Sequence, residues 1–155
     1  MALPCRRSTK IFTAERLRKV FVDTGAFVAL RNRAEREHEA ARAALSALVS
    51  ERVPLITSNY VFAETYTALL VRTGREEAIA WGRHFHAGEA IELIRVDEPV
   101  EAEAWSILEA HADKRWSYVD ATSFALMERE GITEAFAFDH HFAQRGLTLI
   151  PEGDL

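Results

Sequence analysis

The stretch SYVDATSFALMEREGITEAFAFD, residues 117–139, contains a predicted helix and a predicted strand in direct succession. The helix is expected to end at Gly131, because glycine commonly follows the last residue of a helix. The strand is expected over the short apolar run that leads into Asp139. A helix followed directly by a strand is typical of α/β proteins, so this stretch indicates the fold class.

Strands and helices alternate in the same way over the rest of the chain. Short apolar runs predict strands at KVFVDTG (19–25), VPLIT (53–57), IELIRVD (91–97) and LTLIP (147–151). Helical periodicity predicts helices at HEAARAALSALV (38–49), SNYVFAETYTALLVRTG (58–74), REEAIAWGRHFHAG (75–88) and PVEAEAWSILEAHAD (99–113). Thr57, Ser58 or Asn59 caps the second of these helices. The alternation predicts a three-layer α/β/α sandwich with a central parallel sheet of about five strands.

The composition is that of a single globular domain without disulfides. The chain has 155 residues, and 48% of them are hydrophobic. No apolar run approaches the roughly 18 residues that a membrane-spanning helix needs. The only cysteine is Cys5, so no internal disulfide can form, and we expect a cytoplasmic protein without a membrane segment.

The charge is distributed unevenly. Residues 1–19 hold six basic residues and one acid, whereas the remainder holds 13 basic residues and 23 acids. We therefore predict a flexible basic extension over residues 1–18 and a folded domain over residues 19–155. A targeting leader and an arm that binds RNA are the alternatives for the extension. A domain this acidic is not a general nucleic-acid coat protein, because such binding depends on basic surface. It needs cations or a local basic patch to approach a phosphate chain.

Four acids are set apart from the others by their surroundings. Most acids have a basic residue one helical turn away, as in Arg31/Glu35, Arg33/Glu37 and Arg72/Glu76. The exceptions lie in apolar segments without a nearby base, and they are Asp23, Glu64, Asp120 and Asp139. A buried carboxylate costs several kcal/mol unless a distant cation, backbone N–H groups or a metal ion neutralises it. Carboxylates that converge at the carboxyl ends of parallel strands would suit a hard cation such as Mg²⁺.

Structural roles are open for three of these acids. Asp23 precedes Thr24-Gly25 and is suited to a turn, and Asp120 follows Ser117 at the spacing of a capping box. Asp139 precedes two histidines and is suited to capping the next turn. Glu64 is harder to explain in this way, because the middle of an apolar helix is a poor place for a structural glutamate.

The same four acids carry a resemblance to a known family. The segments VFVDTGAFVAL, ITSNYVFAETYTALL, SYVDATSFALM and EAFAFDHHF resemble the PIN-domain family, and within it the VapC-like toxins of toxin–antitoxin pairs. The resemblance covers roughly residues 19–151, and the ordered set of segments is more specific than any one of them. It implies a parallel α/β/α sandwich, a Mg²⁺ or Mn²⁺ site and hydrolysis of RNA to products with a 5′-phosphate and a 3′-hydroxyl.

The resemblance also implies roles for individual residues and partners. Asp23, Glu64 and Asp120 would hold or orient the main ion, and Asp139 would hold a second ion or position water. Thr24 and Ser123 match polar positions that support the metal site. The implied partners are an RNA substrate and a protein antitoxin encoded by an adjacent gene. Apolar stretches beyond the core indicate a homodimer.

Other residues give weaker indications. Lys114 and Arg115 precede the Asp120 helix and are candidates for contacts with RNA phosphates, or they simply form a solvated helix terminus. The histidines match no zinc-binding pattern. His140-His141 is expected to form a surface turn, and a position facing the substrate is the alternative. Apolar helix faces predict that Val49 and the three tryptophans, Trp81, Trp105 and Trp116, pack in the core.

Two other classes of protein remain as alternatives. The first is another metal-dependent phosphoesterase of the haloacid-dehalogenase type, which needs a second aspartate two residues after the nucleophile. Gly25 stands at that position after Asp23. The second is a non-catalytic interaction module on the same fold, which the loss of site acids would favour, and none of the four is lost.

Overall fold

The computed structural model describes residues 17–153. Within this range the strands are β1 (Val20–Val22), β2 (Leu55–Ser58), β3 (Ile91–Ile94), β4 (Glu134–Phe136) and β5 (Thr148–Ile150). The helices are α1 (Thr24–Arg31), α2 (His38–Ser50), α3 (Asn59–Thr73), α4 (Arg75–Ala87), α5 (Glu98–Ala110), α6 (Tyr118–Glu130) and α7 (His141–Gln144). None of these helices is long and apolar enough to cross a membrane.

The strands form one parallel sheet in the order β3-β2-β1-β4-β5. Phe21 in β1 stands in register with Ile56 of β2 on one side and with Ala135 of β4 on the other. This arrangement confirms the predicted α/β/α sandwich with a parallel five-stranded sheet. The chain first builds the sheet outward from β1 to β3 and then returns to place β4 on the other side of β1. In such sheets a ligand crevice opens beyond the carboxyl ends of the strands where the order reverses, which here is beside β1 and β4.

The centre of the sheet forms the core. Val20, Phe21 and Val22 are at most 1% exposed, and Phe136 is fully buried. Strands that are covered by helices on both faces read as continuous apolar runs, which is why the sequence revealed them. Helix α6 is buried over every residue from 120 to 127, so Asp120 is placed in the interior by its own helix.

Helix boundaries follow the capping chemistry of the sequence. Of the three candidate caps before α3, Ser58 is the one used, and its Oγ accepts a hydrogen bond from the Val61 N–H at 3.1 Å. Helix α6 starts with the capping box of Ser117 and Asp120 and ends at Gly131, which adopts the left-handed conformation (φ 68°, ψ 30°).

Two helices were not predicted. The alternative in which Asp23 belongs to a turn at Thr24-Gly25 does not hold, because helix α1 begins at Thr24 directly after Asp23. Residues 26–29 are all buried, so the segment has no polar face whose periodicity could have revealed a helix. The second unpredicted helix is α7, which begins at His141, where a turn was expected, and which is too short to show any period.

Several expectations about side chains are also wrong. Trp81 and Trp116 are buried as predicted, but Trp105 is 57% exposed and Val49 is 62% exposed. The indole N–H of Trp105 donates to Glu109 on the same helix, which keeps its polar end on the solvent side.

The predicted helical ion pairs of Arg31 and Arg72 do not form. Glu35 instead pairs with Arg72 at 2.7 Å, and Arg31 pairs with Glu77 at 3.0 Å. The reason is that α1 ends at Arg31 and α3 ends at Thr73, so each predicted pair spans a helix end.

The predicted basic extension over residues 1–18 lies outside the described residues, apart from Leu17 and Arg18. The Arg18 guanidinium donates to both carboxylate oxygens of Glu134, at 2.8 and 3.0 Å, and to Glu51 at 2.7 Å. The boundary between the extension and the domain stays a prediction.

Candidate active site

Asp23 is the most deeply buried of the four acids. It follows β1 directly, and its backbone N–H donates to the Phe136 carbonyl of β4 at 3.0 Å, which fixes it at the sheet edge where the strand order reverses. The residue is only 5% exposed, and its carboxylate caps no N–H of the helix that follows. A buried carboxylate in this position calls for neutralisation.

The surroundings of Asp23 supply negative charge. The pKa of Asp23 is raised to about 7, and burial is the main cause. The nearby Thr24 backbone N–H lowers the pKa, and the charges of Asp120, Glu64 and Asp139 contribute to the rise. Since each of these carboxylates acts on Asp23, the four acids predicted from the sequence lie close enough to interact. No cationic side chain is among the groups that act on the Asp23 pKa.

Glu64 reaches the same region from α3, where it is half-buried. Burial raises its pKa, the Thr24 hydroxyl beside it lowers it, and the charges of Asp120 and Asp139 raise it again. Its carboxylate makes no hydrogen bond of ordinary geometry and no ion pair within residues 17–153. Among the described residues, Glu64 therefore shows no turn or capping role of the kind considered for the other three acids.

Asp120 uses one of its two carboxylate oxygens in hydrogen bonds to its own helix and to His141. Its Oδ2 accepts from the Ser117 N–H at 3.0 Å, and its own N–H donates to Ser117 Oγ at 3.0 Å, so the capping box predicted from the spacing is present. The same Oδ2 lies 2.9 Å from Nδ1 of His141. Its Oδ1 makes no hydrogen bond to any residue from 17 to 153. One oxygen therefore holds the helix while the other is available to a ligand.

Asp139 also caps a helix, as one alternative proposed. Its Oδ1 accepts from the His141 N–H at 2.9 Å and lies 3.3 Å from Nδ1 of the same residue. His141 thus joins Asp120 to Asp139, and the prediction that it merely occupies a surface turn is wrong, because its side chain is only 21% exposed. Its place two residues after Asp139 was the one sequence feature that could have indicated this role.

Distances between potential ligands do not single out the four acids. Within residues 17–153 a tight group is formed by Asp139, His140 and His141, whose ligand atoms all lie within 4.8 Å of one another, rather than by three of the carboxylates. The His140 side chain is 75% exposed, so the four carboxylates stay the candidate site. Asp23 and Asp120 are buried, and Glu64 and Asp139 are half-buried.

The supporting hydroxyls predicted from the resemblance are buried and unpartnered. Thr24 Oγ1 and Ser123 Oγ have no hydrogen-bond partner among the described residues, and Thr65 Oγ1 beside Glu64 shares this property. A buried polar group without a partner costs about 1–3 kcal/mol. The Thr24 hydroxyl faces Glu64, but not with the geometry of a hydrogen bond. Carboxylate and hydroxyl oxygens are the donor set that hard divalent cations prefer, so these residues fit Mg²⁺ or Mn²⁺.

Lys114 and Arg115 lie next to this site. They line a cavity of about 480 Å³ whose wall also includes His141, the residue that contacts Asp120 and Asp139. A separate apolar cavity of about 310 Å³ is lined by residues such as Phe27, Trp81 and Phe85 and includes none of the four acids. The candidate site is therefore distinct from the apolar cavity.

We expect the contribution of Asp23 to the stability of the metal-free protein to fall as the pH rises through the range in which Asp23 ionises. Its folded-state pKa of about 7 lies above the ordinary value of 3.8, so the folded state binds the proton more tightly than the unfolded chain. This contribution is complete below about pH 4 and is lost toward about pH 7, at up to about 1.4 kcal/mol for each pH unit. Urea unfolding in EDTA, with the Asp23→Asn variant as reference, measures it. A difference between the two proteins that does not change with pH contradicts the assignment.

The comparison with known families agrees with this geometry. The sequence pattern described as the PIN domain matches residues 20–146, which is most of the chain. The protein therefore belongs to the PIN domain family.

Individual proteins and solved structures are similar to this chain over most of its length. The chain is 36% identical over 128 residues to the 23S rRNA-specific endonuclease VapC20 of Mycobacterium tuberculosis, and the match covers 82% of this chain and 94% of that protein. The crystal structure of VapC20, described as a Sarcin-Ricin loop cleaving toxin, superimposes with a TM-score of 0.76 at 34% identity and covers 84% of this chain and 97% of that one. FitAcB from Neisseria gonorrhoeae, at 16% identity and a TM-score of 0.63, covers 84% of this chain and 95% of that one, and it shares the fold.

Proposed function

We propose that this protein is a metal-dependent endoribonuclease that hydrolyses RNA phosphodiester bonds and acts as the toxin of a toxin–antitoxin pair. The observation that carries the proposal is Asp23, a carboxylate only 5% exposed, with three further carboxylates acting on it. Buried carboxylates without a cationic side chain indicate a cation site. The likeness to an rRNA-specific endonuclease at 36% identity supports the reaction class.

Mg²⁺ or Mn²⁺ is the proposed cofactor. Asp23, Glu64 and Asp120 would hold or orient the main ion, and Asp139 would hold a second ion or position water. When bound, such an ion makes a water molecule more acidic and stabilises charge that develops at phosphorus.

The residues of the chain itself prepare the site. The backbone bond from Asp23 to Phe136 fixes one carboxylate relative to the sheet. Ser117 and His141 hold Oδ2 of Asp120, which leaves its Oδ1 for a ligand. The hydroxyls of Thr24 and Ser123 supply donors for water or for the charged oxygens around the ion. Because these side chains are held in place before the substrate binds, they need little reorganisation during the reaction.

Ribosomal RNA is the first substrate to test, because the relative is named for cleavage of 23S rRNA. Purified ribosomes, free rRNA and tRNA would be incubated with the protein and Mn²⁺, and breaks would be mapped by primer extension. We expect one dominant break, with no break when Asp23→Asn replaces the wild-type protein. Intact RNA of every kind in the presence of metal would contradict the proposal.

The two alternative classes are separated by comparing two substrates. A ribonuclease turns over a fluorescent RNA and not p-nitrophenyl phosphate, whereas a phosphatase of the haloacid-dehalogenase type does the reverse. RNA binding without turnover of either substrate would favour a non-catalytic module. Gly25 at the second position after Asp23 argues against the phosphatase.

The proposed protein partners are an antitoxin and a second copy of the chain. An inhibitor that places an arginine at the carboxylates would replace the cation there. Exposed apolar side chains such as Val71 (79% exposed) and Trp105 (57%) support a homodimer, which sedimentation would measure. Since its proposed substrate is cellular RNA, we propose that the protein acts in the cytoplasm.

Expression of the protein alone is expected to arrest growth, and co-expression of the small open reading frame beside its gene is expected to relieve the arrest. The physical reason is that an inhibitor covering the carboxylates blocks both the metal and the RNA. Colony counts under separate inducers measure the effect, with Asp23→Asn as the harmless control. A protein that is harmless alone and has no such neighbouring frame would contradict the toxin assignment and leave the nuclease assignment standing.

A further inference from the structure

We propose that the cavity lined by Asp113, Lys114, Arg115, His140, His141 and Gln144 is a subsite for the RNA phosphate next to the one that is cleaved. We call it the loop cavity. The inference rests on the proposed ribonuclease function and adds to it a binding subsite with named donors.

The position of the loop cavity connects it to the carboxylates. The segment before α6 supplies one wall, and the start of α7 supplies the other. His141 belongs to the cavity wall, and its Nδ1 lies 2.9 Å from Asp120 Oδ2 and 3.3 Å from Asp139 Oδ1. A group bound in the cavity is thus one side chain away from the proposed cation site. Neighbouring phosphates of an RNA strand are joined through a single nucleoside, so one strand can reach both places.

The hydrogen-bond arrangement makes the cavity a donor site. The indole N–H of Trp116 can only donate, and it donates to Oε1 of Gln144 at 3.0 Å. This bond leaves the Gln144 amide nitrogen, which only donates, without a partner among residues 17–153. Trp116 itself is 8% exposed and packs edge-to-face on Phe124 at 5.1 Å, so the frame that orients Gln144 belongs to the core.

The cavity also carries an uncommitted positive charge. Arg115 is exposed and forms no ion pair with a described residue, and its guanidinium suits two oxygens of one phosphate. The Lys114 ammonium lies 3.2 Å from Asp113, so that lysine is partly neutralised and Arg115 is the principal cation. The chain as a whole carries a formal charge of −5, so a local basic patch beside the carboxylates is what an RNA strand needs to approach them.

The test measures whether RNA cleavage depends on an interaction between Arg115 and one particular phosphate of the RNA. The substrate is an RNA oligonucleotide spanning the mapped break, with the phosphate on either side of the scissile one replaced, one at a time, by an uncharged methylphosphonate. For wild type, one replacement is expected to lower kcat/KM about tenfold. For Arg115→Gln, KM with the unmodified RNA is expected to rise about tenfold with little change in kcat, and the same replacement should have little further effect. The slope of log affinity against log salt should fall by about 1.

Two further variants guard against a purely structural explanation. Arg52→Gln is the matched control, because Arg52 is exposed and precedes β2, which places it at the amino edge of the sheet, away from the site. Gln144→Glu keeps an oxygen for Trp116 but replaces the amide donor with negative charge, so it should weaken RNA binding while the melting temperature is retained.

The outcomes separate this subsite from the function on which it rests. If wild type does not cleave or bind RNA with metal present, the proposed function fails and the subsite fails with it. If wild type cleaves RNA but Arg115→Gln matches Arg52→Gln in KM and keeps the full methylphosphonate effect, the subsite alone is overturned.

Discussion

The Asp23→Asn variant is expected to cleave RNA at least about 100-fold more slowly than wild type, which corresponds to about 3 kcal/mol in activation free energy. The substitution removes the negative charge from the most buried of the four carboxylates while keeping its size. Glu64→Gln and Asp120→Asn are expected to lower the rate by a similar factor. The measurement is kcat/KM on a labelled RNA with Mn²⁺ present at a saturating concentration.

The matched control for this series is Glu76→Gln. Glu76 lies exposed in the first turn of α4 and has no part in the site, so its substitution should leave the rate unchanged. Near-full activity in any two of the three site variants would contradict the proposed site.

The second large effect concerns stability. In EDTA at neutral pH, Asp23→Asn is expected to be more stable than wild type, because it relieves the cost of a buried charge among other carboxylates. Mn²⁺ at about 100 times its Kd should stabilise wild type by about 2.7 kcal/mol, or about 5–10 °C in Tm. The variant should lose most of this gain. Thermal melting of both proteins with EDTA and with Mn²⁺ gives all four values.

Asp23 serves this experiment better than Asp120. The sequence alone proposed a choice between a metal ligand and a helix cap at Asp120, and the structure shows that its Oδ2 caps α6 while its Oδ1 stays free of that bond. Asp120→Asn therefore disturbs two functions at once. Ser117→Ala isolates the cap and should cost about 1 kcal/mol equally in both buffers. A cation site would be contradicted if Mn²⁺ did not change the Tm of wild type and the Asp23→Asn variant were no more stable than wild type.

Much of the fold was predictable because buried parallel strands have a recognisable pattern. The apolar runs of β1 and β4 are covered on both faces, and each ends within a few residues of an aspartate. Helix α1 was not predictable, because its residues 26–29 are all buried and leave no polar face. Trp105 was misplaced because a tryptophan that bonds to its own helix can remain exposed.

The types of residue in the candidate site could be predicted from the sequence, but their arrangement in space could not. Acids without local bases marked Asp23 and Glu64, whose pKa values are raised by burial in the structure. The contacts of His141 with Asp120 and of Gln144 with Trp116 were not predicted, since each spans more than 20 positions of sequence. Spacing cannot reveal such contacts when the helix that carries them has only four residues.

The most direct test of the central claim is single-turnover cleavage of one labelled RNA by wild type and by Asp23→Asn, first in EDTA and then after addition of excess Mn²⁺. We predict no cleavage by either protein in EDTA, rapid cleavage by wild type once Mn²⁺ is added, and a rate at least about 100-fold lower for the variant. Undiminished cleavage by wild type in EDTA, or equal rates for the two proteins in Mn²⁺, would contradict a metal-dependent ribonuclease site built on these carboxylates.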